Sequence, residues 1–363
     1  MEHMPGDAAS FDLTARPIQS SDFSDVANFL ARTFGNNPEA SLELLHWLEK
    51  NPARNNDWPR GWLVGSANRE LIAFTSNIPF AYIINGKIRN CFATGNTSVA
   101  PEWRGKKLSK MVARAFLNQD NADLLIGVDS TEIAYRLWLS LGMKPLQRQW
   151  TGKNFRMIAS ARRLALRPIV PGILTPALST TIAAVTAIAR MYALSRARSI
   201  KVKKLDSFDI AGSSQIETFR ADNNADTYAV RNSRILTWMY FGCEIVRRNR
   251  AVFAATDGDR IIGYLAMKLV GNSFSLLECR CKDASPEIAR ALILVARDYA
   301  DAHGALFLNV WRYTHMIYEA VPNLCGTTFR SHPMMTYCYH SNVGIVDEQK
   351  WESTPGDGDL SVN

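Results

Sequence analysis

One pattern of predicted elements occurs twice in the chain, and this repetition limits the fold more than any other feature. In residues 13–155 the order is a strand and two helices, an antiparallel meander, a strand–turn–helix, and a last strand and helix. Residues 205–345 follow a similar order, with RNSRILTWMYFG at the place of LELLHWLEKNP. Since 363 residues also exceed the size of a typical domain, we expect two domains of one architecture.

Local signals assign both domains to the α+β class. Asn85-Gly86 and Asp257-Gly258 lie between apolar runs and are typical of two-residue hairpin turns. Ser285-Pro286 predicts the start of a helix, because Pro is favoured at the first helical position. We therefore expect each domain to be a mostly antiparallel mixed sheet flanked by helices.

The stretch SVAPEWRGKKLSKMVARAF, residues 98–116, is the clearest candidate for a ligand site. It combines a strand that ends in Ala-Pro, a basic turn around Gly105 and an amphipathic helix. The first backbone N–H groups of a helix have no partner within the helix and attract anions. The stretch therefore predicts a site for a phosphate-bearing ligand.

The positive charge of the chain is concentrated in its middle. The net charge is +8, yet no acidic residue occurs between Ile133 and Leu205, where 14 Lys or Arg are found. Such a band favours a polyanionic neighbour, namely CoA phosphates, an anionic membrane surface or nucleic acid. Residues 168–189 carry no charge but contain three prolines, which is too broken for a transmembrane helix. We interpret residues 156–204 as a basic helical connector, packed between the domains or lying on a membrane interface.

The cysteines and the chain ends indicate a cytoplasmic protein without a metal centre. Six cysteines show no CxxC pair and no metal-ligand spacing with histidine. The first residues contain no apolar signal core. We expect residues 1–12 to be flexible and residues 346–363 to form a disordered acidic tail.

The element order and the basic turn together resemble the GCN5-related N-acetyltransferase (GNAT) superfamily in a tandem arrangement. The phosphate-binding signature of that family is Q/R-x-x-G-x-G/A, usually preceded by Val-x-Pro-x-x. Val99, Pro101 and Arg104 match this pattern, whereas Lys107 replaces its first glycine and Ser109 its last small residue. Glycine permits unusual backbone angles there, so the turn departs from the pattern where geometry matters most.

The resemblance implies an acyl-CoA co-substrate, with acetyl-CoA as the default, and no metal. Backbone groups near Ser98 and Val99 would hold the thioester. The amides of the basic turn would hold the pyrophosphate. The turn residues concerned are Arg104, Gly105, Lys106, Lys107, Leu108 and Ser109.

The resemblance also implies an acid that protonates the leaving thiolate, often a tyrosine four residues before the closing glycine. Counting back from Gly142 reaches Trp138, which cannot serve. Tyr135 lies one helical turn earlier and is the nearest substitute, although it is equally explained as a packed aromatic residue.

Two carboxylates are candidates for the base that deprotonates the amine. Asp129 and Glu132 follow the strand NADLLIGV, near the place where the two central strands of the family diverge. A carboxylate there could accept the proton if burial raises its pKa. Asp129, or its neighbour Ser130, is equally explained as the cap of the next helix.

The second domain lacks the phosphate turn and is therefore expected to be a degenerate copy. In its place the chain reads LLECRCKDASPEIARAL, where Asp283 and Glu287 would repel a pyrophosphate. This domain would shape the acceptor pocket or support the first domain.

Three functional hypotheses remain. The first is an acyl-CoA-dependent N-acyltransferase acting on an amine of a small molecule, an amino sugar or a cell-envelope or polysaccharide precursor, with peripheral contact to an anionic membrane through residues 156–204. The second is an aminoacyl-tRNA-dependent transferase of the same tandem fold, although no aromatic RNA-binding platform is evident and nucleic acid is not the favoured partner. The third is a CoA-binding module without catalytic activity.

Overall fold

Two mixed β-sheets, each flanked by helices, form the centre of the protein. The computed structural model describes residues 13–66, 70–127, 130–146, 153–160, 184, 200–208, 213–311, 314–321, 326–330, 338–344, 346–352 and 354. The predicted α+β fold with two similar halves is confirmed.

The first sheet has the strand order β1-β2-β3-β4-β5-β15-β6, and β9 extends it by pairing with β3 and β16. Only the pairs β4–β5 and β9–β16 are parallel. Its strands are β1 (Arg16–Pro17), β2 (Gly61–Gly65), β3 (Leu71–Ile84), β4 (Lys87–Val99), β5 (Leu124–Gly127), β6 (Lys144–Pro145), β9 (Thr227–Ala229), β15 (Cys338–Ser341) and β16 (Trp351–Glu352).

Helices cover both faces of the first sheet. They are α1 (Phe23–Phe34), α2 (Pro38–Glu49), α3 (Leu108–Leu117) and α4 (Glu132–Ser140). The apolar side of α1 packs with Leu63 and Phe74 on one face. On the opposite face, α3 and α4 pack with Phe92 and Leu125. The β3–β4 hairpin turns at Asn85-Gly86, as the sequence predicts, with both residues in the left-handed region.

The second sheet has the order β14-β7-β13-β12-β11-β10-β8. Its strands are β7 (Lys153–Ile158), β8 (Lys201–Leu205), β10 (Arg250–Asp257), β11 (Arg260–Val270), β12 (Ser273–Cys281), β13 (Phe307–Trp311) and β14 (Gly326–Arg330). Its helices are α5 (Ser233–Phe241), α6 (Glu244–Arg248), α7 (Pro286–Ala302) and α8 (His315–Ala320). The helix α7 begins at Pro286 as predicted, and the side chain of Ser285 accepts the N–H of Ile288 as its cap.

Each sheet includes strands from the other half of the chain, and the first sheet contains β9, β15 and β16 from the second half. The strand β15 comes from the C-terminal part of the chain but lies between β5 and β6 of the first sheet. Conversely, β7 directly follows the first half in sequence but lies between β13 and β14 of the second sheet. Phe155 and Met157 of β7 are buried in the core of the second half. The predicted ranges 13–155 and 205–345 follow chain order and therefore miss this exchange.

The ends of the predicted helical connector are strands. Residues 156–158 belong to β7 and residues 201–204 to β8. The reason is a two-residue period, since Phe155 and Met157 point into the core on one face of β7. Apart from 159, 160, 184 and 200, the rest of the segment 156–204 lies outside the described residues. None of the helices in the described part of the chain is long and apolar enough to cross a lipid bilayer.

Two tryptophans join the halves through a reciprocal contact. Trp47 of α2 and Trp238 of α5 stack with ring centroids 4.8 Å apart. Each indole N–H donates to the backbone carbonyl of the other residue at 2.8 Å. The residues occupy equivalent places in LELLHWLEKNP and RNSRILTWMYFG, so the repeated motifs meet across an approximate two-fold relation.

The predicted disordered tail is ordered in its first part. Trp351 is 1% exposed and packs against Tyr82 and Tyr339. Glu352 is fully buried and forms an ion pair with Arg280 at 2.8 Å. The buried indole of Trp351 and the buried ion pair of Glu352 hold residues 346–352 and 354 in place. The acidic composition of this segment did not indicate that it would be ordered.

Candidate functional site

The parallel pairing of β4 with β5 ends before β4 does, and we call the place beside the end of β5 the cleft. The two strands pair in parallel from Cys91 with Leu124 to Thr94 with Gly127. The strand β4 then continues to Val99 along β3 alone. The backbone of Asn96 is left-handed, with φ 54°, and the β3–β4 register shifts beside it. A bulge of this kind bends a strand locally, and the candidate site is the end of β4 beside the end of β5 at Gly127.

The basic turn continues directly from the end of β4. A short 3-10 turn at residues 101–103 leads to Gly105, which has φ 82°, and Lys107 precedes the first residue of α3. The side chain of Leu108 is buried with Val64 and Ile72, which anchors the helix start on the sheet. Residues 104–107 are exposed and Ser109 is half-buried, so the predicted pyrophosphate site is accessible.

Lys107 adopts the backbone conformation that the family pattern assigns to glycine. Its φ of 63° lies in the left-handed region, which costs an L-residue about 1 kcal/mol relative to glycine. The substitution therefore leaves the turn geometry in place and adds a cation beside the N-terminus of α3.

The turn and α3 carry an uncompensated positive charge. Arg104, Lys106, Lys107, Lys110 and Arg114 are all exposed. Within the described residues none of them forms an ion pair with a carboxylate, and the first turn of α3 contains no acid. These charges add to the helix dipole, and the arrangement favours a polyanion.

The predicted thioester-binding residues lie at the side of the cleft. Ser98 is 9% exposed, and its hydroxyl donates to the carbonyl of Asn96 at 3.0 Å. Val99 is half-buried at the end of β4, where its carbonyl accepts a long hydrogen bond of 3.5 Å from Nε of Arg104. The bulge and the turn are thus connected through the last residues of β4.

The predicted acid and bases differ in their surroundings. Tyr135 is half-buried on α4, and its pKa is raised by burial and then by Cys338 and Glu132 nearby. Its hydroxyl therefore keeps its proton at neutral pH. The Glu132 side chain is 67% exposed and pairs with Arg136 at 2.8 Å, which directs it to solvent. Asp129 lies outside the described residues.

The cap of α4 is Thr131 rather than Asp129 or Ser130. The Thr131 hydroxyl accepts the N–H of Ala134 at 3.3 Å. Three adjacent residues of this stretch have capping side chains, and the sequence could not rank them because the cap depends on where the helix begins.

Trp138 fills the position where the family pattern has its tyrosine. It is 1% exposed and packs edge to face on Phe116 with centroids 5.6 Å apart. It also lies against Gly127 at the end of β5, where a Cβ would be 3.5 Å from its ring. The indole is therefore part of the core beside the cleft.

Three threonines at the base of the cleft were missed by sequence reasoning. The hydroxyl oxygens of Thr75 and Thr94 are 2.9 Å apart, and those of Thr75 and Thr97 are 2.7 Å apart. Thr94 and Thr97 are separated by 3.2 Å. The residues come from FTSN and ATGNTS, and only the register of β3 with β4 shows that they meet.

The equivalent place in the second sheet holds buried charges. Glu278 of β12 pairs with Arg231 at 3.1 Å and with Arg280 at 2.7 Å, and it accepts the Tyr240 hydroxyl at 2.8 Å. Burial would raise the pKa of Glu278, but the two guanidinium groups hold that pKa below its ordinary value. The turn that follows contains Asp283, with φ 54°. A closed charge network and an acidic turn agree with a degenerate second copy.

Two surface cavities lie away from the basic turn. Two cavities of about 590 and 550 Å³ border α1 and share Asp25 and Leu71 as lining residues. Neither includes a residue of the basic turn. No group of His, Cys, Asp or Glu among the described residues is arranged to hold a metal ion.

A comparison with models of protein families finds a match in the first half of the chain. Residues 14–125 match the family model described as acetyltransferase (GNAT) domain. This range contains β4, the threonines and the basic turn, and it ends before Gly127 and Tyr135. Residues 14–125 are thus similar to a GNAT domain, and the architecture of two sheets flanked by helices matches that of GNAT-like solved structures.

Solved structures share this fold over most of the chain. Saccharomyces cerevisiae N-myristoyltransferase with bound myristoyl-CoA has 12% identity and a TM-score of 0.57, with 96% of this chain and 86% of that chain covered. A GCN5-related N-acetyltransferase from Kribbella flavida has 16% identity and a TM-score of 0.55, with 93% and 73% covered. A putative acetyltransferase from Pyrococcus horikoshii has 13% identity and a TM-score of 0.51, with 96% and 100% covered. No curated protein matches the sequence.

Proposed function

We propose that the protein is an acyl-CoA-dependent N-acyltransferase that moves an acyl group from a CoA thioester to an amine. The observation that carries the proposal is the left-handed backbone of Lys107, which keeps the GNAT-type turn at the N-terminus of α3 without a glycine. The exposed cations around it supply charge for a pyrophosphate.

The cleft supports a division of roles. The turn from Arg104 to Ser109 would bind the pyrophosphate, and the end of β4 at Ser98 and Val99 would place the thioester beside β5. A neutral amine would then attack the carbonyl carbon, and the C–S bond would break with its electron pair moving to sulfur. Tyr135 would return a proton to the thiolate. Asp129 stays the sequence-based proposal for the base, because the ion pair of Glu132 holds that residue in solvent.

We propose acetyl as the acyl group and a small-molecule or glycan amine as the acceptor. The basic segment 156–204 would bring a membrane-linked or polysaccharide acceptor close to the cleft. The assignments of the acyl group and of the acceptor rest on the sequence and on the kind of chemistry that the proposed reaction requires.

Acyl transfer is expected when the full chain is incubated with isotope-labelled acetyl-CoA and a library of amines, with myristoyl-CoA as a second donor. Mass spectrometry detects the acylated amine. Tyr135→Phe should lower kcat by about 100-fold, the usual contribution of a positioned proton donor. Tyr318→Phe is the matched control, because Tyr318 is exposed on α8 of the second half.

The outcome distinguishes the hypotheses. Amine-dependent release of CoA supports the proposal. Transfer only from an aminoacyl-tRNA, or CoA binding without turnover on any amine, would contradict it.

A further inference from the structure

We propose that the hydroxyl of Thr97 donates a hydrogen bond to the sulfur of CoA in the cleft and stabilises the thiolate as it leaves. The inference rests on the proposed function and adds a catalytic residue to the same site. It is carried by the three threonines at the base of the cleft.

The position of the threonines follows from the strand register. Thr94 pairs with Gly127, the last contact before β4 and β5 separate. Thr75 lies on β3, which pairs with the bulged part of β4 on the side opposite β5. Thr75 and Thr94 are 0% and 4% exposed, whereas Thr97 is half-buried and keeps part of its surface accessible. Of the three hydroxyl groups, that of Thr97 is therefore the one that a ligand can reach.

The distances leave the Thr97 proton available. The two short contacts join Thr94 to Thr75 and Thr75 to Thr97, at 2.9 and 2.7 Å. If each hydroxyl donates to the next, Thr97 accepts from Thr75 and its own O–H points onward. The third contact joins Thr94 and Thr97 at 3.2 Å and is the longest of the three. In this arrangement Thr97 donates to Thr94 in the free protein and turns its O–H to the sulfur when CoA binds. A chain of hydroxyl groups polarises its last member, which makes Thr97 a better donor.

Two described side chains that lie against Gly127, Trp138 and Cys338, are buried and do not supply an equivalent donor. Trp138 beside Gly127 is 1% exposed and belongs to the core. Burial raises the pKa of Cys338, which lies 3.9 Å from the Gly127 carbonyl, to about 12, and only 1% of this residue is exposed. Tyr135 and Glu132 are titratable groups at this end of α4; the role of Tyr135 in the proposed reaction is proton transfer, and Glu132 is paired with Arg136 in solvent.

The reaction step is balanced without a further reactant. The amine nitrogen forms the N–C bond, the C–S bond breaks, and its electron pair moves to sulfur. Thr97 keeps its proton and only shares it with the developing thiolate. Tyr135 gives its proton to the sulfur, which leaves as free CoA thiol, and regains a proton from the one that the amine lost to the base.

The test measures the thiol pKa of CoA bound to the full chain, from the ultraviolet absorbance of the thiolate. The complex with desulfo-CoA, which lacks the thiol, serves as the blank for cysteines and tyrosines of the protein. Thr97→Val should raise the bound thiol pKa by about one unit, the effect of losing one hydrogen bond to a charged group. Thr97→Ser keeps the hydroxyl and should behave as the wild type.

Further variants keep the test decisive. Thr97→Ala replaces the Val variant if the latter does not fold, as judged by thermal denaturation, and Tyr318→Phe, at an exposed position of α8 in the second half, should leave the thiol pKa unchanged. An unchanged pKa in the Thr97 variants, or a shift in Thr97→Ser equal to that in Thr97→Val, would overturn the proposal. Failure of the wild type to bind CoA in the same titration would instead reject the proposed function, and this inference with it.

Discussion

Truncation of the chain after residue 330 abolishes cooperative folding of both halves. The truncated chain lacks β15, so β5 and β6 of the first sheet lose the strand that pairs with both of them. It also loses Trp351 and Glu352 from the core. Central strands without a partner leave buried backbone groups unsatisfied, which a folded sheet does not tolerate. Circular dichroism and limited proteolysis would show an unfolded or aggregated protein.

A shorter truncation is the control for this experiment. A chain that ends at Thr354 keeps every residue that the structure describes, and we expect it to unfold cooperatively like the full chain. A first half that stays folded and protease-resistant after truncation at residue 330 would mean that β15 is not an integral strand of the first sheet.

Replacement of Glu352 by alanine destabilises the protein by about 3–5 kcal/mol, the cost of removing one partner of a buried ion pair. Glu352 is fully buried, pairs with Arg280 at 2.8 Å and accepts the backbone N–H groups of Ala221 and Asp222 at 2.9 and 3.1 Å. Removal of the Glu352 carboxylate leaves the buried Arg280 guanidinium with one ion-pair partner fewer. An incompletely paired charge in the interior costs free energy. Chemical denaturation of the variant and the wild type gives the difference.

The matched control is Glu244→Ala. Glu244 forms ion pairs with Arg247 and Arg248, but on the surface of α6, where solvent replaces them. We expect little change in the unfolding midpoint. If both variants lost the same small amount of stability, the buried ion pairs around Glu278 and Glu352 would not stabilise the second half more than surface ion pairs do.

Local features of the fold could be predicted from the sequence, because their causes are local. The hairpin at Asn85-Gly86 and the start of α7 at Pro286 depend on residues that are neighbours in the chain. The equivalence of the motifs around Trp47 and Trp238 was also visible as a repeated pattern. The structure adds their direct contact.

The exchange of β7 and β15 could not be predicted in this way. A strand pattern shows which face is buried, but not which sheet receives the strand, since pairing depends on contacts distant in sequence. For the same reason Tyr339, next to an acidic segment, gave no sign that it packs under Trp351.

The candidate site also combines features that the sequence could predict with features that depend on contacts distant in sequence. The basic turn was found because its residues are contiguous, and the backbone of Lys107 agrees with the role expected of the missing glycine. The contact of Thr75 with Thr94 and Thr97 depends on the β3–β4 register and on the bulge at Asn96. Neither can be read from FTSN or ATGNTS alone.

A calorimetric titration of the full chain with CoA, beside Lys107→Glu and Lys203→Glu, tests most directly whether the turn holds a CoA pyrophosphate. Lys203 is an exposed residue of β8 in the second sheet, so its replacement makes the same change in net charge away from the turn. We expect the wild type and Lys203→Glu to bind alike, and Lys107→Glu to bind at least about tenfold more weakly, since a hydrogen bond to a charged group contributes roughly 1.5–3 kcal/mol. Equal affinity of all three proteins, or no binding by the wild type, would contradict the assignment.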